Sequence, residues 1–364
     1  MRFRGDSAWA FVLVAGLLLS GDLDAGSLEP PGPPAPTMKT IEQSEPRIPI
    51  SSLPTSITQS GSYYLTASLT GVVGNNGISI YASNVTLDLN GFSMNGGAGS
   101  YDGISFGAGT GQVVIRNGII RNWGRRGIDG LAVPEVTVEK LVIDSNGQGG
   151  VRIGARGSVR DSTVTNNTGD GIRADSGSTI AGCKAGSNTG SGIVGQADVT
   201  VSGSSAVSNG ATGIVLDRAS LATDCTASGN LTGFVLYAGS RVIHSTARQN
   251  SDGISAAGYG VSIEQCTAEA NSDDGITAGY EALVRGNLAN DNVGNGIHVT
   301  GSGSRIEDNE STDNQLSGIR VDAAFNFIAK NRTYANATPY TIVAGNKVGT
   351  ISADPATAGP WANF

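Results

Sequence analysis

The chain of 364 residues contains two histidines. One of them, His298, stands in DNVGNGIHVTGSG, with Arg320 one repeat further on and Asp274, Asn295 and Asp322 in related positions. A histidine titrates near neutrality and can take a proton there, an arginine can neutralise a carboxylate, and an aspartate can orient the imidazole ring. These are the parts needed to remove a proton next to a carboxylate. The rival reading is an exposed histidine with no chemical task. A second set lies upstream: Arg126, Asp129, Arg152, Asp170, Arg173 and Asp175, with Arg125 and Arg156 nearby. Residues 116–173 carry eight Arg and one Lys against six acids, in a chain whose net charge is −8. Arginines stacked side by side repel unless anions lie between or beside them, so this set suits an anionic ligand. A solvated ladder of ion pairs is the plain alternative.

Both sets gain meaning from the repeat that would position them. Glycine followed by an apolar residue recurs at Gly77, Gly103, Gly127, Gly150, Gly171, Gly192, Gly213, Gly233, Gly253, Gly275, Gly296 and Gly318, with a spacing of 20–22 residues from Gly150 onward. Asn146, Asn167, Asn188, Asn209, Asn230, Asn250, Asn271, Asn292 and Asn314 keep step three or four residues ahead. Such a period leaves room for strands and turns but none for a helical hairpin, so the chain is expected to be a solenoid of short strands, a parallel β-helix. Residues one and three after each glycine, such as Ile214 and Leu216, are apolar and point inward. The intervening residue then points outward and stacks into a column: Ser79, Ser105, Asp129, Arg152, Arg173, Val194, Val215, Val235, Ser255, Thr277, His298, Arg320. Two flanking slots add Asp102, Arg126, Asp170, Asp252, Asp274 and Asn295 on one side, and Tyr81, Asp175, Asp217, Tyr237 and Asp322 on the other. Each asparagine is expected at a turn, in left-handed geometry, with its amide bonded to its stacked neighbours.

The three cysteines follow the same register. Cys183, Cys225 and Cys266 each precede a ladder asparagine by five residues and alternate with Ser204 and Ser245. At about 4.8 Å per coil, cysteines two coils apart are too distant for a disulfide, so they are expected to be buried free thiols.

The Gly-Ile-x-Val phrases with their asparagine turns resemble the right-handed parallel β-helix repeats of the pectate-lyase-like superfamily over about residues 76–335. That superfamily includes pectate and alginate lyases, uronan epimerases, polygalacturonases and copper-maturation accessory proteins. The resemblance implies an all-β chain, a single right-handed parallel β-helix of about 11–12 coils with N- and C-terminal caps. It also points to the outward column, where epimerases of the superfamily carry their catalytic acids and histidine. The expected catalytic residues are therefore Arg152, Arg173, Asp129, Asp175, His298 and Arg320, with Arg126, Asp170, Tyr237, Asp274 and Asp322 contacting substrate. In several β-helix lyases an arginine or lysine is the base; the column here holds no lysine. The chain also departs from the epimerase pattern, lacking a compact Asp-Pro-His run and a tyrosine in the slot before the glycine. The activity implied is elimination or C5-epimerisation on a uronate-containing polysaccharide; a non-catalytic glycan-binding or adhesion solenoid is the alternative.

Composition and the chain's flanks supply the rest. The start, MRFRGDSAWAFVLVAGLLLS, reads as a signal peptide over 1–25, which makes the product secreted or periplasmic, and its apolar run is too short to span a membrane. Residues 26–47 read as a Pro-rich linker, 48–75 as an N-terminal cap, 76–335 as the β-helix and 336–364 as a C-terminal capping tail, with Trp361 and Phe364 as cap residues. The acidic balance argues against nucleic acid, and the chain is expected to be a monomer whose partner is an acidic polysaccharide. No motif demands a cofactor. Calcium is the one candidate, at Asp170 and Asp175 or at Asp252, Asp273 and Asp274. His244 lies off the column and is assigned a structural role, while Tyr259 and Tyr280 are placed to stack beside it.

Overall fold

The computed structural model describes residues 46–353 and 358–364; residues 1–25, expected to be a signal peptide, and nearly all of 26–47, expected to be a Pro-rich linker, lie outside them. Among the described residues every regular element is a β-strand, and each strand pairs in parallel with its counterpart one coil away. One face of the solenoid is a sheet of 14 strands running from Thr55–Ile57 to Thr338–Ile342. The other two strands of each coil form ladders that the nine-residue strands Val113–Arg121 and Val136–Asp144 join into a single sheet of 26.

The fold is the expected parallel β-helix, but the count of 11–12 coils is too low. Thr55–Ile57 pairs in register with Ile78–Ile80, and Thr338–Ile342 with Ser317–Val321, in segments that lack the glycine phrase. At the C-terminal end the slot belongs to Pro339. A Cβ built on Gly213 would sit 2.7 Å from the carbonyl oxygen of Gly233 and 2.8 Å from Nδ2 of Asn230, both in the next coil. The same crowding bars a Cβ at the glycines of the interior coils, whereas prolines hold this slot in the two end coils: register sets Pro54 opposite Gly77 and Pro339 opposite Gly318. Periodicity read from glycine therefore misses both end coils.

The asparagine ladder differs from expectation in one respect. Left-handed backbone falls on the residue just before each asparagine, such as Ser187, Ser208 and Gln249, while Asn188, Asn209 and Asn250 themselves are buried. Most coils turn at three such positions five residues apart, as at Gly177, Gly182 and Ser187. Each asparagine can then reach inward: Asn209 Nδ2 donates to Asn230 Oδ1 at 3.0 Å and to the Ala185 carbonyl at 3.2 Å. Such ladders satisfy the main-chain groups that a tight turn exposes inside the coil. A second ladder runs through Asn287, Asn309 and Asn331 and is completed by Asn363 of the C-terminal segment, whose Oδ1 accepts from the Asn331 main-chain N–H at 3.0 Å.

The core is a narrow stack of small and branched residues. Ile172, Ala174, Ile214, Leu216, Phe234, Leu236, Ile297, Val299, Ile319 and Val321 are fully buried. Cys183, Cys225 and Cys266 are free and buried, and the main-chain N–H groups of Cys183 and Cys225 donate to the hydroxyls of Ser204 and Ser245, which fixes the alternating stack.

Candidate functional site

The column predicted from the repeat exists. Strand pairing in the 14-stranded sheet sets Asp129 beside Arg152, Arg152 beside Arg173, Arg173 beside Val194, Thr277 beside His298 and His298 beside Arg320. Inward neighbours are locked in the core, so these side chains stand on the outer face with limited rotameric freedom.

At the upstream end Arg152 forms a two-pronged ion pair with Asp129, Nε to Oδ1 at 2.9 Å and a terminal nitrogen to Oδ2 at 3.1 Å. Arg126 reaches the same aspartate at 3.6 Å and donates to Gln148 Oε1 at 3.3 Å. Arg173 donates to Asp170 at 3.3 Å, and the other oxygen of Asp170 accepts from the Ser191 main-chain N–H at 3.0 Å. Arg126, Arg152, Asp170 and Arg173 line a concavity of about 270 Å3 together with Gln148 and Leu131. Three guanidiniums against two carboxylates leave one positive charge, a setting for one anionic group. Arg152 and Arg173 each already pair with a carboxylate of the column, Asp129 and Asp170. Asp175 stands apart: its carboxylate accepts from the main-chain N–H of Ser176 at 2.7 Å and caps its own turn. Arg125 also leaves the cluster and lies 4.1 Å from the centroid of the Tyr101 ring.

At the downstream end His298 is held between two carboxylates, Nδ1 at 2.8 Å from Asp274 Oδ2 and Nε2 at 3.0 Å from Asp322 Oδ2. Asp274 is fixed through its second oxygen by the Asn295 main-chain N–H at 2.6 Å and side-chain amide at 2.8 Å. Asp322 is held by Arg320 Nε at 2.9 Å. The Asp274 hydrogen bond is the main cause that raises the His298 pKa; burial works against it and Asp322 adds to it. Burial alone would raise Asp274, but the His298 and Asn295 donors outweigh it and hold the carboxyl below its usual value. Arg320 first, then His298, lowers Asp322. The side chain of Asp274 is 13% exposed and that of Asp322 is 35%, so Asp274 is the fixed partner and Asp322 the displaceable one.

The two ends do not form one centre. Arg173 and His298 are six coils apart, roughly 29 Å at about 4.8 Å per strand. Val194, Val215 and Val235 floor the stretch after Arg173, and the half-exposed Tyr237 sits on its rim, three coils from either end. Tyr259 and Tyr280 stack at 5.1 Å on the same rim. His244 adopts left-handed geometry at a turn and bonds Gln265, off the column. Among the described residues no group of three or more His, Cys, Asp or Glu is arranged to hold a metal ion. Burial, with Asp273 and Asp274 nearby, raises the pKa of Asp252 instead. Gln148 was not apparent in the sequence because it lies in the short segment between asparagine and glycine, where composition varies from coil to coil.

Residues 56–179, 102–251 and 232–353 match the family described as right handed beta helix region. No curated protein matches the sequence. Similar solved structures include the A-module of the mannuronan C-5 epimerase AlgE6 of Azotobacter vinelandii, 13% identical over 87% of this chain and 88% of that chain with a TM-score of 0.49. The A-module of AlgE4 from the same organism is 13% identical over 84% and 90%, with a TM-score of 0.48. The pectate lyase Pel9A is 15% identical over 69% and 73%, with a TM-score of 0.41. With overlapping matches that together cover residues 56–353 without a gap, this chain belongs to the right handed beta helix family.

Proposed function

We propose that the protein acts on an acidic, uronate-containing polysaccharide laid along the 14-stranded sheet, with His298 removing the proton at C5 of a uronate whose carboxylate is paired by Arg320. The observation that carries this reading is the clamp of His298 between Asp274 and Asp322 on the outer face of the sheet, one strand from Arg320. Substrate carboxylate competes with Asp322 for Arg320. Displacing Asp322 takes away one of the two acceptors that hold the ring charged, so Nε2 loses its proton to solvent and becomes a base. Asp274 keeps Nδ1–H oriented. As the C5–H bond breaks, its electron pair moves into the carboxylate, where Arg320 meets the added charge. Return of a proton to C5 from the opposite face inverts the sugar; departure of the group on C4 leaves a double bond. The arginine concavity at Arg126, Arg152 and Arg173 holds a further acidic group of the chain.

We also propose that the chain is exported; the basic and apolar character of its first residues supports that reading. No helix among the described residues is long and apolar enough to cross a membrane.

Incubation with uronate polymers in heavy water tests the reaction, with C5 exchange read by NMR and unsaturated uronate by ultraviolet absorbance. Wild type should give one of these signals, His298→Gln neither, and His244→Gln the wild-type signal. Absence of both signals for the wild type across homopolymeric and heteropolymeric uronates, with and without calcium, refutes catalysis. One feature favours a purely binding solenoid: both ring nitrogens of His298 and every guanidinium of the upstream cluster already have acidic partners. Retention of wild type on those polymers with no exchange selects that alternative.

A further inference from the structure

The charge along the sheet face is uneven in a way that bears on ligand composition. The three outward slots of each coil can be followed in order through the strand register. Positive charge is concentrated at Arg126, Arg152 and Arg173. The next three coils present Ser191, Val194 and Gln196, then Thr212, Val215 and Asp217, then Thr232, Val235 and Tyr237. The following two present Asp252, Ser255 and Ala257, then Asp274, Thr277 and Gly279. Five successive coils therefore have no Lys, Arg or His in these slots, and three carry an aspartate. The nearest cation, Arg218, lies one residue past this face, after Asp217, whose carboxylate caps the Arg218 main-chain N–H at 2.8 Å. A side chain that is always cationic returns to these slots only with Arg320, beside His298.

A homopolyuronate carries a carboxylate on every ring. Laid across these coils it would set several carboxylates over apolar valines and beside Asp217, Asp252 and Asp274 without one cation to pair them. Like charges opposed across an interface weaken binding and reject the wrong ligand. Neutral rings fit the same stretch, with C–H faces on the half-buried Val215 and Val235 and hydroxyls toward Ser191, Thr212, Thr232 and Gln196.

We infer that the ligand is a heteropolysaccharide of sparse acidity, with one acidic sugar at the Arg126, Arg152 and Arg173 concavity, several neutral sugars over the valine floor, and a uronate at His298 and Arg320. This rests on the proposed polysaccharide function and narrows its substrate class.

Titration calorimetry in the presence of a chelator, at fixed salt, compares three probes of matched length. They are oligogalacturonate, with a carboxylate on every ring; deacylated gellan oligosaccharide, with one glucuronate among neutral sugars; and neutral dextran oligosaccharide. The expected order is gellan tightest, with oligogalacturonate weaker on the order of tenfold. Val215→Lys, which adds a cation to the floor and takes away one apolar platform, should shift selectivity several-fold from gellan toward oligogalacturonate. Arg173→Gln should weaken gellan toward the dextran value. Oligogalacturonate binding as tightly as gellan to wild type overturns the inference and leaves the polysaccharide reading standing, as does a Val215→Lys protein with unchanged selectivity. Failure of all three probes to bind overturns both.

Discussion

Replacing Asn209 with alanine tests the structural element that holds the sheet face in register. Asn209 is 4% exposed, and its side chain joins three coils. Its Oδ1 accepts from the Asn188 main-chain N–H at 3.2 Å and from Asn188 Nδ2 at 3.0 Å, while its own Nδ2 donates to the Ala185 carbonyl and to Asn230 Oδ1. Alanine keeps the Asn209 main-chain bond to Asn230 Oδ1 at 2.9 Å but removes these four. A buried main-chain N–H, one amide hydrogen of Asn188 and one acceptor contact at Ala185 are then left unmet. At about 1–3 kcal/mol for each buried group left without a partner, and with imperfect additivity, the loss should be about 3–6 kcal/mol. Asn290 is the control. Its Oδ1 is buried without a partner and its Nδ2 bonds only Asp291, so Asn290→Ala removes an unsatisfied atom and should change stability by less than about 1 kcal/mol. Urea titration followed by circular dichroism gives both values, with hydrogen exchange of the Asn188 N–H checking whether the effect is local to the coil. Equal effects of the two substitutions, or a loss below about 1 kcal/mol for Asn209→Ala, would refute the account of the ladder.

The His298 clamp makes stability depend on pH. His298 is raised in the folded chain, so its contribution is complete below the ordinary histidine pKa and disappears as pH rises through the folded value. Asp274 and Asp322 are lowered, so theirs is complete above the ordinary carboxylate pKa and disappears as pH falls through the folded values. The full contribution falls in a window of about pH 4 to 6.5; Asp274→Asn should reduce the stabilisation within it and lower the His298 pKa, as read by NMR titration of the imidazole, and an unmoved titration would show that the pair does not form. The thiols of Cys183 and Cys225 are pushed up to about 11 and that of Cys266 to about 12, by burial above all. Ellman's reagent at pH 8 should therefore label none of the three until denaturant is added, and rapid labelling of the native protein would contradict the stack.

The sequence by itself determined the architecture, because a solenoid imposes the same steric demand at the same point of every coil. Glycine precedes the inward isoleucine where the next coil's carbonyl oxygen leaves no space for a Cβ, asparagine recurs where main-chain groups turn inward, and the alternation of Ile214, Val215 and Leu216 states which side chains face out. The same register placed His298 beside Arg320 and Arg152 beside Arg173 before any coordinates. Strand register alone cannot give side-chain pairing. That Asp129 holds Arg152 with both oxygens, that Asp175 turns back on Ser176, and that His298 is gripped from both sides are settled by rotamers and turn paths. The end coils were likewise invisible to the repeat, since Pro54 and Pro339 stand in the glycine slot there. The tertiary structure alone decided how the charges of each group are paired, Arg152 by Asp129, Arg173 by Asp170 and His298 by Asp274 and Asp322, because side-chain reach between coils depends on rotamers that the repeat does not specify.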